Sequence, residues 1–158
     1  MGKLTATGTP AAQLGRFIKK YSPVVAAQGR ATLTKMRKLV PGAVQLVYDN
    51  YNFLAVGFGP SERASEAVLS VVFAPRWISI CLIRGMGLPD PHRLLRGSGN
   101  QVRFIRLDTP KDLDTPAVRA LITIALKRAR VPIDHTAPGR LVIRSISAKQ
   151  RPRRPKAA

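Results

Sequence analysis

The segment 88–107 carries the residue types that bind anions. It reads LPDPHRLLRGSGNQVRFIRL, with a serine between two glycines and arginines on both sides. A glycine turn exposes backbone amides, and exposed amides beside guanidinium groups bind phosphate or carboxylate. The glycines are also typical of a tight turn without a ligand, because glycine adopts positive φ without strain. The candidate residues for an anion site are Arg93, Arg96, Gly97, Ser98, Gly99 and Arg103.

No residues here predict a catalytic or metal centre. Ser98 lacks the Gly-x-Ser-x-Gly spacing of a nucleophile elbow, and His92 is a single histidine in a loop. Asp108, Asp112 and Asp114 precede a predicted helix, where aspartate is typical of a cap. The chain has no set of cysteines and histidines for zinc. We therefore expect no cofactor.

The chain is strongly basic. It has 27 lysines and arginines against 8 acids, a net charge of +19, which exceeds what solubility requires. The last twenty residues hold seven basic residues and no acid. The excess predicts a polyanionic partner such as nucleic acid, while a solvated terminus and a proteome rich in arginine are the alternatives. The tail residues expected to contact phosphates are Lys149, Arg151, Arg153, Arg154 and Lys156.

Aromatic residues are scattered along the predicted strands. Exposed rings on a basic sheet bind single-stranded nucleic acid, but no segment matches the RNA-recognition signature. We expect most of these rings to fill the core of the domain. They are Tyr48, Tyr51, Phe53, Phe58, Phe73, Trp77 and Phe104.

Hydrophobic periodicity predicts the elements that position these residues. Thr9-Pro10, Ser22-Pro23 and Thr115-Pro116 are typical helix starts, and apolar residues at helical spacing follow each. Between the second and third helices, short apolar segments alternate with turns, which indicates strands at 44–48, 53–56, 67–73, 77–83 and 102–107. Consecutive strands and flanking helices predict an α+β fold with two layers. Its largely antiparallel five-stranded sheet should carry helices on one face.

We expect one folded domain with a basic tail. Residues 1–8 are predicted to be a flexible leader, 9–131 the α+β domain, 132–147 a linker with an edge strand from Arg140, and 148–158 a disordered tail. An exposed edge strand would also allow a homodimer. The single cysteine, Cys81, excludes an internal disulfide and fits a cytoplasmic location. No apolar run reaches the roughly eighteen residues of a membrane span.

The motifs resemble the YdhG-like family of small bacterial proteins over about residues 14–130. The strongest is the turn 95–99, which leads into Val102-Arg103. The others are Phe17-Ile18, Tyr21-Ser22-Pro23, 39–43, 46–49, Arg84-Gly85, 88–91 and Asp112-Leu113-Asp114. The resemblance implies helices packed on an antiparallel sheet. Most members have no established function, and the one functional label comes from a frataxin-like intracellular iron chaperone.

Two positions depart from that family's pattern. Arg96 stands where the family usually has glutamate, and Asn100 where it has lysine. Iron is held by clustered carboxylates when thiolates and imidazoles are lacking, and the first two predicted helices contain no acid. We therefore expect a non-enzymatic protein that binds an anionic ligand or a polyanion. The alternative is an iron chaperone, and the residual alternative is an enzyme acting on a phosphorylated small molecule through Arg93, Arg96 and Arg103.

Overall fold

The structure is a computed structural model that describes residues 8–156. Apart from Gly8, the predicted leader lies outside the described residues. Three α-helices are present among the described residues, and each begins with proline as the sequence predicts. They are α1 (Pro10–Lys19), α2 (Pro23–Leu39) and α3 (Pro116–Lys127).

The starts of α1 and α2 are fixed by side-chain caps. The Thr9 hydroxyl accepts a hydrogen bond from the amide of Ala12 at 3.1 Å, and the Ser22 hydroxyl accepts one from Val25 at 3.3 Å. These bonds satisfy amides that the first helical turn leaves without partners.

The sheet is mixed and has six strands in the order β5-β4-β3-β2-β1-β6. All neighbouring strands are antiparallel except β1 and β6, which are parallel. The expectation of five strands is therefore corrected to six, because the segment from Arg140 pairs with β1. The strands are β1 (Val44–Asp49), β2 (Leu54–Gly59), β3 (Leu69–Phe73), β4 (Ile78–Leu82), β5 (Arg103–Leu107) and β6 (Arg140–Ile146).

The parallel pairing follows from how the chain enters β1 and β6. Gly42 and Gly139 precede the two strands and have φ values of 82° and 70°, a region that favours glycine. A Cβ at Gly42 would overlap the carbonyl of Asp134, and one at Gly139 would lie 2.9 Å from the Ala43 oxygen. The two glycines therefore let both strands begin at the same end of the sheet.

The helices pack on one face of the sheet. Their apolar side chains join one buried cluster with alternate residues of the strands. Its central row crosses five strands and consists of Val47, Val56, Val71, Ile80 and Ile105.

Contact between α2 and β3 depends on Gly29. A Cβ at this position would overlap the ring of Phe73. The Tyr21 hydroxyl donates a hydrogen bond to the Phe73 carbonyl and accepts one from the Leu54 amide, both at 3.1 Å. The glycine thus weakens the helix locally but allows the sheet to approach it.

The opposite face of the sheet contributes no side chain to that cluster. Segment 60–67 covers one end of it, because Glu62 pairs with Arg140 at 2.8 Å and a Cβ at Gly59 would lie 3.0 Å from the Cα of Ala67. We call the helix-free surface the open face. Its residues alternate with core residues and are mostly small: Leu46, Tyr48, Ala55, Gly57, Ser70, Val72, Ser79, Cys81, Phe104 and Arg106.

The expectation that most aromatic rings fill the core is wrong. Among the seven considered, Phe58 and Phe73 belong to the buried cluster. Tyr48, Trp77 and Phe104 are half-buried, and Tyr51 and Phe53 are exposed. Strand alternation is the cause for Tyr48 and Phe104, since their neighbours Val47 and Ile105 point into the core.

The C-terminal segment returns to the body of the domain, which differs from the expected disordered tail. Its amides at Ser147 and Arg151 donate to the carbonyls of Asp49 and Tyr51, at 2.9 and 2.8 Å. Arg153 is 5% exposed and its guanidinium lies 3.0 Å from the carboxylate of Asp49, which is fully buried. The segment is therefore held by backbone hydrogen bonds and by a buried ion pair.

Asp49 has a second cation beside it. The ammonium of Lys20 lies 2.8 Å from the other carboxylate oxygen. Burial raises the pKa of Asp49, but hydrogen bonds from Lys20 and Arg153 and the charge of Lys20 more than offset it, so its pKa lies below the usual range. The carboxylate therefore stays charged inside the protein.

Candidate anion-binding site

The structure separates the arginines that the sequence groups around the Gly97-Ser98-Gly99 turn. Arg96 pairs with Phe104 in an antiparallel bridge, so its side chain lies on the open face beside that ring. Arg103 follows the opposite alternation, and its guanidinium donates to the carbonyls of Gly99 at 2.7 Å and Val102 at 2.8 Å. Arg103 thus closes its own loop.

The amides that precede this turn bind a carboxylate of the protein itself. Asp90 accepts hydrogen bonds from the amides of Leu94 at 2.8 Å and Leu95 at 2.9 Å. Arg93 sits in the same loop with a φ of 53° and is exposed. Asp90 occupies the position that an external anion would take at these two amides.

Gly97, Ser98 and Gly99 form an exposed turn. Gly97 has a φ of 114°, which favours glycine, while a Cβ at Gly99 would meet no atom of the described residues within 4 Å, apart from its chain neighbours. Gly97 is therefore needed for the turn, whereas Gly99 is not needed to avoid a clash.

The predicted tail residues divide into two groups. Arg153 is buried at Asp49, and the Arg154 guanidinium donates to the carbonyls of Lys20 at 3.2 Å and Lys19 at 3.4 Å. Arg154 thereby caps the C-terminal end of α1, where carbonyls lack partners and the helix dipole is negative. The remaining cations, Lys149, Arg151 and Lys156, are exposed.

A cleft at one end of the sheet brings together four arginines that the sequence does not group. Its rim consists of Arg63 from segment 60–67, Arg84 after β4, and Arg128 and Arg130 at the end of α3. Glu66 is the only acid that lines it among the described residues. Four arginines and one glutamate leave three positive charges around the cleft.

Two of these arginines have no protein partner within residues 8–156. Arg63 lies 4.0 Å from Glu66 and is largely exposed, and Arg128 donates to the Gly87 carbonyl at 3.2 Å. Arg84 and Arg130 have neither a hydrogen bond nor an ion pair among the described residues. Their donors are available to a ligand.

The cleft has an apolar wall as well as a charged rim. Its volume is about 280 Å³, near the lower limit of roughly 300 Å³ for small-molecule pockets. The apolar lining residues are Val68, Leu88, Ala125, Ala129 and Val131, besides Ala67. A ligand that fits both surfaces would carry an anionic group on a small apolar body.

Local bonds hold the two sides of the cleft. The Ser61 hydroxyl donates to Glu66 at 2.7 Å and accepts from the Arg63 amide at 3.1 Å, which fixes a short 3-10 turn at Ala64–Glu66. On the other side, the bond from Arg128 to Gly87 ties the end of α3 to the loop after β4. One wall is therefore held by bonds within its own segment, and the other by a bond between α3 and the loop after β4.

The sequence did not reveal this cleft because its arginines come from three distant segments. Arg128 is the C-cap of α3 and Arg130 follows it by two residues, a position where basic residues favour the negative end of the helix dipole. The feature of the sequence that could have indicated the cleft is the excess of basic residues at the end of α3, with no acid among them.

Metal ligands do not converge among the described residues. No group of three or more histidines, cysteines, aspartates or glutamates is placed to hold an ion within residues 8–156. The iron alternative stays an expectation from the resemblance. Nor does any helix of the described part have the length and apolar character to cross a membrane.

Comparison with known proteins identifies no relative. No protein-family model matches the chain, and neither a curated protein nor a solved structure matches it. The resemblance to YdhG-like proteins therefore stays a prediction from the motifs.

Proposed function

We propose that this protein is a non-enzymatic binding protein for a small anionic ligand, which it holds in the arginine-rimmed cleft. The observation that carries the proposal is that Arg84 and Arg130, which line one cavity, have no carboxylate or carbonyl partner among the described residues. Guanidinium groups with free donors bind phosphate and carboxylate through charge-assisted hydrogen bonds.

The charge around the cleft supports an anion over a neutral ligand. The end of α3 carries a partial charge of about −0.5, which is small beside the three surplus positive charges of the rim. Glu66, the only acid lining the cleft within residues 8–156, already accepts a hydrogen bond from Ser61. A ligand anion would offset charge that the protein leaves uncompensated.

The shape of the cleft supports a ligand with an apolar part. Val68, Leu88 and Ala129 line it beside the arginines, and burial of apolar surface contributes about 25 cal/mol per Å². Inorganic phosphate would use the rim alone. A phosphate or carboxylate on an aromatic or short aliphatic group would use both.

The predicted Gly97-Ser98-Gly99 turn is the second position where an anion could bind. Its exposed amides and the nearby Arg93 and Arg96 favour it, but Arg103 is bonded to its own loop. The two positions are separable by mutation, since they share no arginine.

The test is calorimetric titration with phenyl phosphate at low salt. The variant Arg84→Gln/Arg130→Gln should bind at least tenfold more weakly, because each lost charged hydrogen bond is worth about 1.5–3 kcal/mol. The matched control Arg93→Gln/Arg96→Gln removes the same charge at the turn and should change binding by less than about twofold.

Two further titrations define the ligand class. Phenol should not bind measurably, and inorganic phosphate should bind more weakly than phenyl phosphate. Failure of phenyl phosphate to bind saturably would refute the proposal. Loss of binding in the Arg93→Gln/Arg96→Gln variant alone would move the site to the turn.

A further inference from the structure

The open face of the sheet carries a second constellation, separate from the cleft. Phe104 lies on β5 of this face, and Arg106 follows two residues later on the same side. The guanidinium carbon of Arg106 stands 4.3 Å from the centre of the Trp77 ring. Arg96 pairs with Phe104 in an antiparallel bridge, so its side chain lies beside the Phe104 ring.

We infer that this constellation binds single-stranded nucleic acid, with bases stacked on the open face. Aromatic rings and guanidinium planes are the surfaces on which unpaired bases stack, and an exposed sheet presents them side by side. Phe104 and Arg106 are about 7 Å apart along β5, from the rise of two strand residues. Two neighbouring bases can therefore be held along one strand.

The strand residues beside Phe104 and Arg106 have short side chains. The strand residues directly beside Phe104 and Arg106 are Cys81 and Ser79, and the next strand contributes Ser70 and Val72. Ser70 and Ser79 are buried and Val72 and Cys81 are half-buried, whereas Arg106 is exposed and Phe104 is half-buried. Phe104 and Arg106 are therefore more accessible than the serines beside them. A third ring, Tyr48, lies on the same face in the same row as Arg106.

Charge favours nucleic acid over a protein partner as the occupant. None of the strand residues on the open face is acidic, and Arg96 and Arg106 have no carboxylate partner among the described residues. The whole chain carries +19, which attracts a phosphate backbone from any direction. A second copy of this chain would be repelled by the same charge.

The single tryptophan provides the most direct readout. Trp77 is the only one in the chain, so its fluorescence reports on this face alone. Titration with an oligouridylate of about twelve nucleotides, within the range that single-strand sites span, should quench the fluorescence saturably. Binding only through the exposed tail lysines would leave the emission unchanged and would overturn the inference.

Mutations separate stacking from general charge attraction. By fluorescence anisotropy with a labelled oligouridylate, Phe104→Leu should weaken binding by about tenfold, the usual loss for one stacked base. Arg106→Gln should also weaken binding. Arg30→Gln removes the same charge at an exposed position of α2 and should change the logarithm of the dissociation constant by less than half as much. Equal losses in the two arginine variants would refute a site on this face.

Two controls keep the test decisive. Thermal unfolding checks that Phe104→Leu is folded; if it is not, the Arg106→Gln comparison and the Trp77 signal still decide. Duplex DNA should bind more weakly than the single strand and quench less. Quenching by duplex as strong as by the single strand would contradict base stacking. The Arg84→Gln/Arg130→Gln variant should retain quenching. The proposal of anion binding in the cleft and the proposal of nucleic-acid binding on the open face can therefore fail independently.

Cys81 gives an independent footprint. Its thiol lies beside Phe104 in the register of β4 and β5. Bound oligonucleotide should slow alkylation of Cys81 by at least threefold. An unchanged alkylation rate at saturating oligonucleotide would place the nucleic acid elsewhere and overturn the inference.

Discussion

Replacing Arg153 with methionine should test whether the C-terminal segment is part of the folded domain. Methionine keeps an apolar stem but removes the guanidinium that lies 3.0 Å from buried Asp49. The change leaves a buried carboxylate with one cation instead of two. Since Lys20 is half-exposed, it cannot fully replace the buried partner.

The expected loss of stability follows from the burial of the pair. Breaking a buried ion pair from one side costs about 3–5 kcal/mol. Lys20 still pairs with Asp49 at 2.8 Å, so the lower end, about 3 kcal/mol, is appropriate. For a domain of this size that corresponds to a fall in Tm of about 6–12 °C.

Thermal unfolding followed by circular dichroism measures this loss. Arg151→Met is the matched control, because Arg151 is exposed and bonds to the body through its backbone amide. The control should unfold within about 2 °C of the parent protein. If Arg153→Met unfolds as the control does, the segment does not contribute to the fold and the reasoning is refuted.

Three further predictions follow from burial and packing. The folded-state pKa of Asp49 is lowered, so the stabilisation that its charge gives the fold is present above the unfolded pKa of about 3.9 and is lost as pH falls through the folded pKa. In urea titrations, Asp49→Asn should lower the free energy of unfolding at pH 7 and reduce its dependence on acid pH. An unchanged dependence on acid pH would count against this. In denaturant unfolding, Gly29→Ala should destabilise the protein by about 1–3 kcal/mol, because the new Cβ overlaps Phe73. Gly15→Ala in α1 has no atom within 4 Å of the new Cβ and should stabilise the protein by about 0.5–1 kcal/mol. Effects of the same sign would contradict this. Burial raises the pKa of the Cys81 thiol, so iodoacetamide should modify it more slowly at pH 7.5 than a free cysteine, and a rate equal to that of the free amino acid would be inconsistent with the burial.

Local patterns predicted the elements well where the determining residues are close in sequence. Thr9-Pro10 and Ser22-Pro23 begin the first two helices because a cap and its amide are three residues apart. Strand alternation likewise predicted β1 and β2, and short apolar segments bounded by turn residues predicted β3 and β4; β5 was predicted from the segment 102–107. The parallel pairing of β6 depended on Gly42 and Gly139 meeting across the fold, which no local period encodes.

The sites were harder to predict because they join distant residues. Asp49 and Arg153 are 104 residues apart, so the basic tail had no visible partner. The arginines of the cleft come from before β3, after β4 and after α3. The 88–107 segment did contain Arg96, Phe104 and Arg106 of the open face, but the structure places Arg96 beside Phe104 rather than beside Arg103.

The central claim is that an anionic ligand binds in the arginine-rimmed cleft, and mapping of amide chemical shifts tests it most directly. In a titration of the ¹⁵N-labelled protein with phenyl phosphate, the largest shift changes should fall on the cleft residues Ser65, Val68, Arg84, Ala129 and Arg130. Shift changes centred on Gly97, Ser98 and Gly99, or spread evenly over the basic surface, would contradict the account.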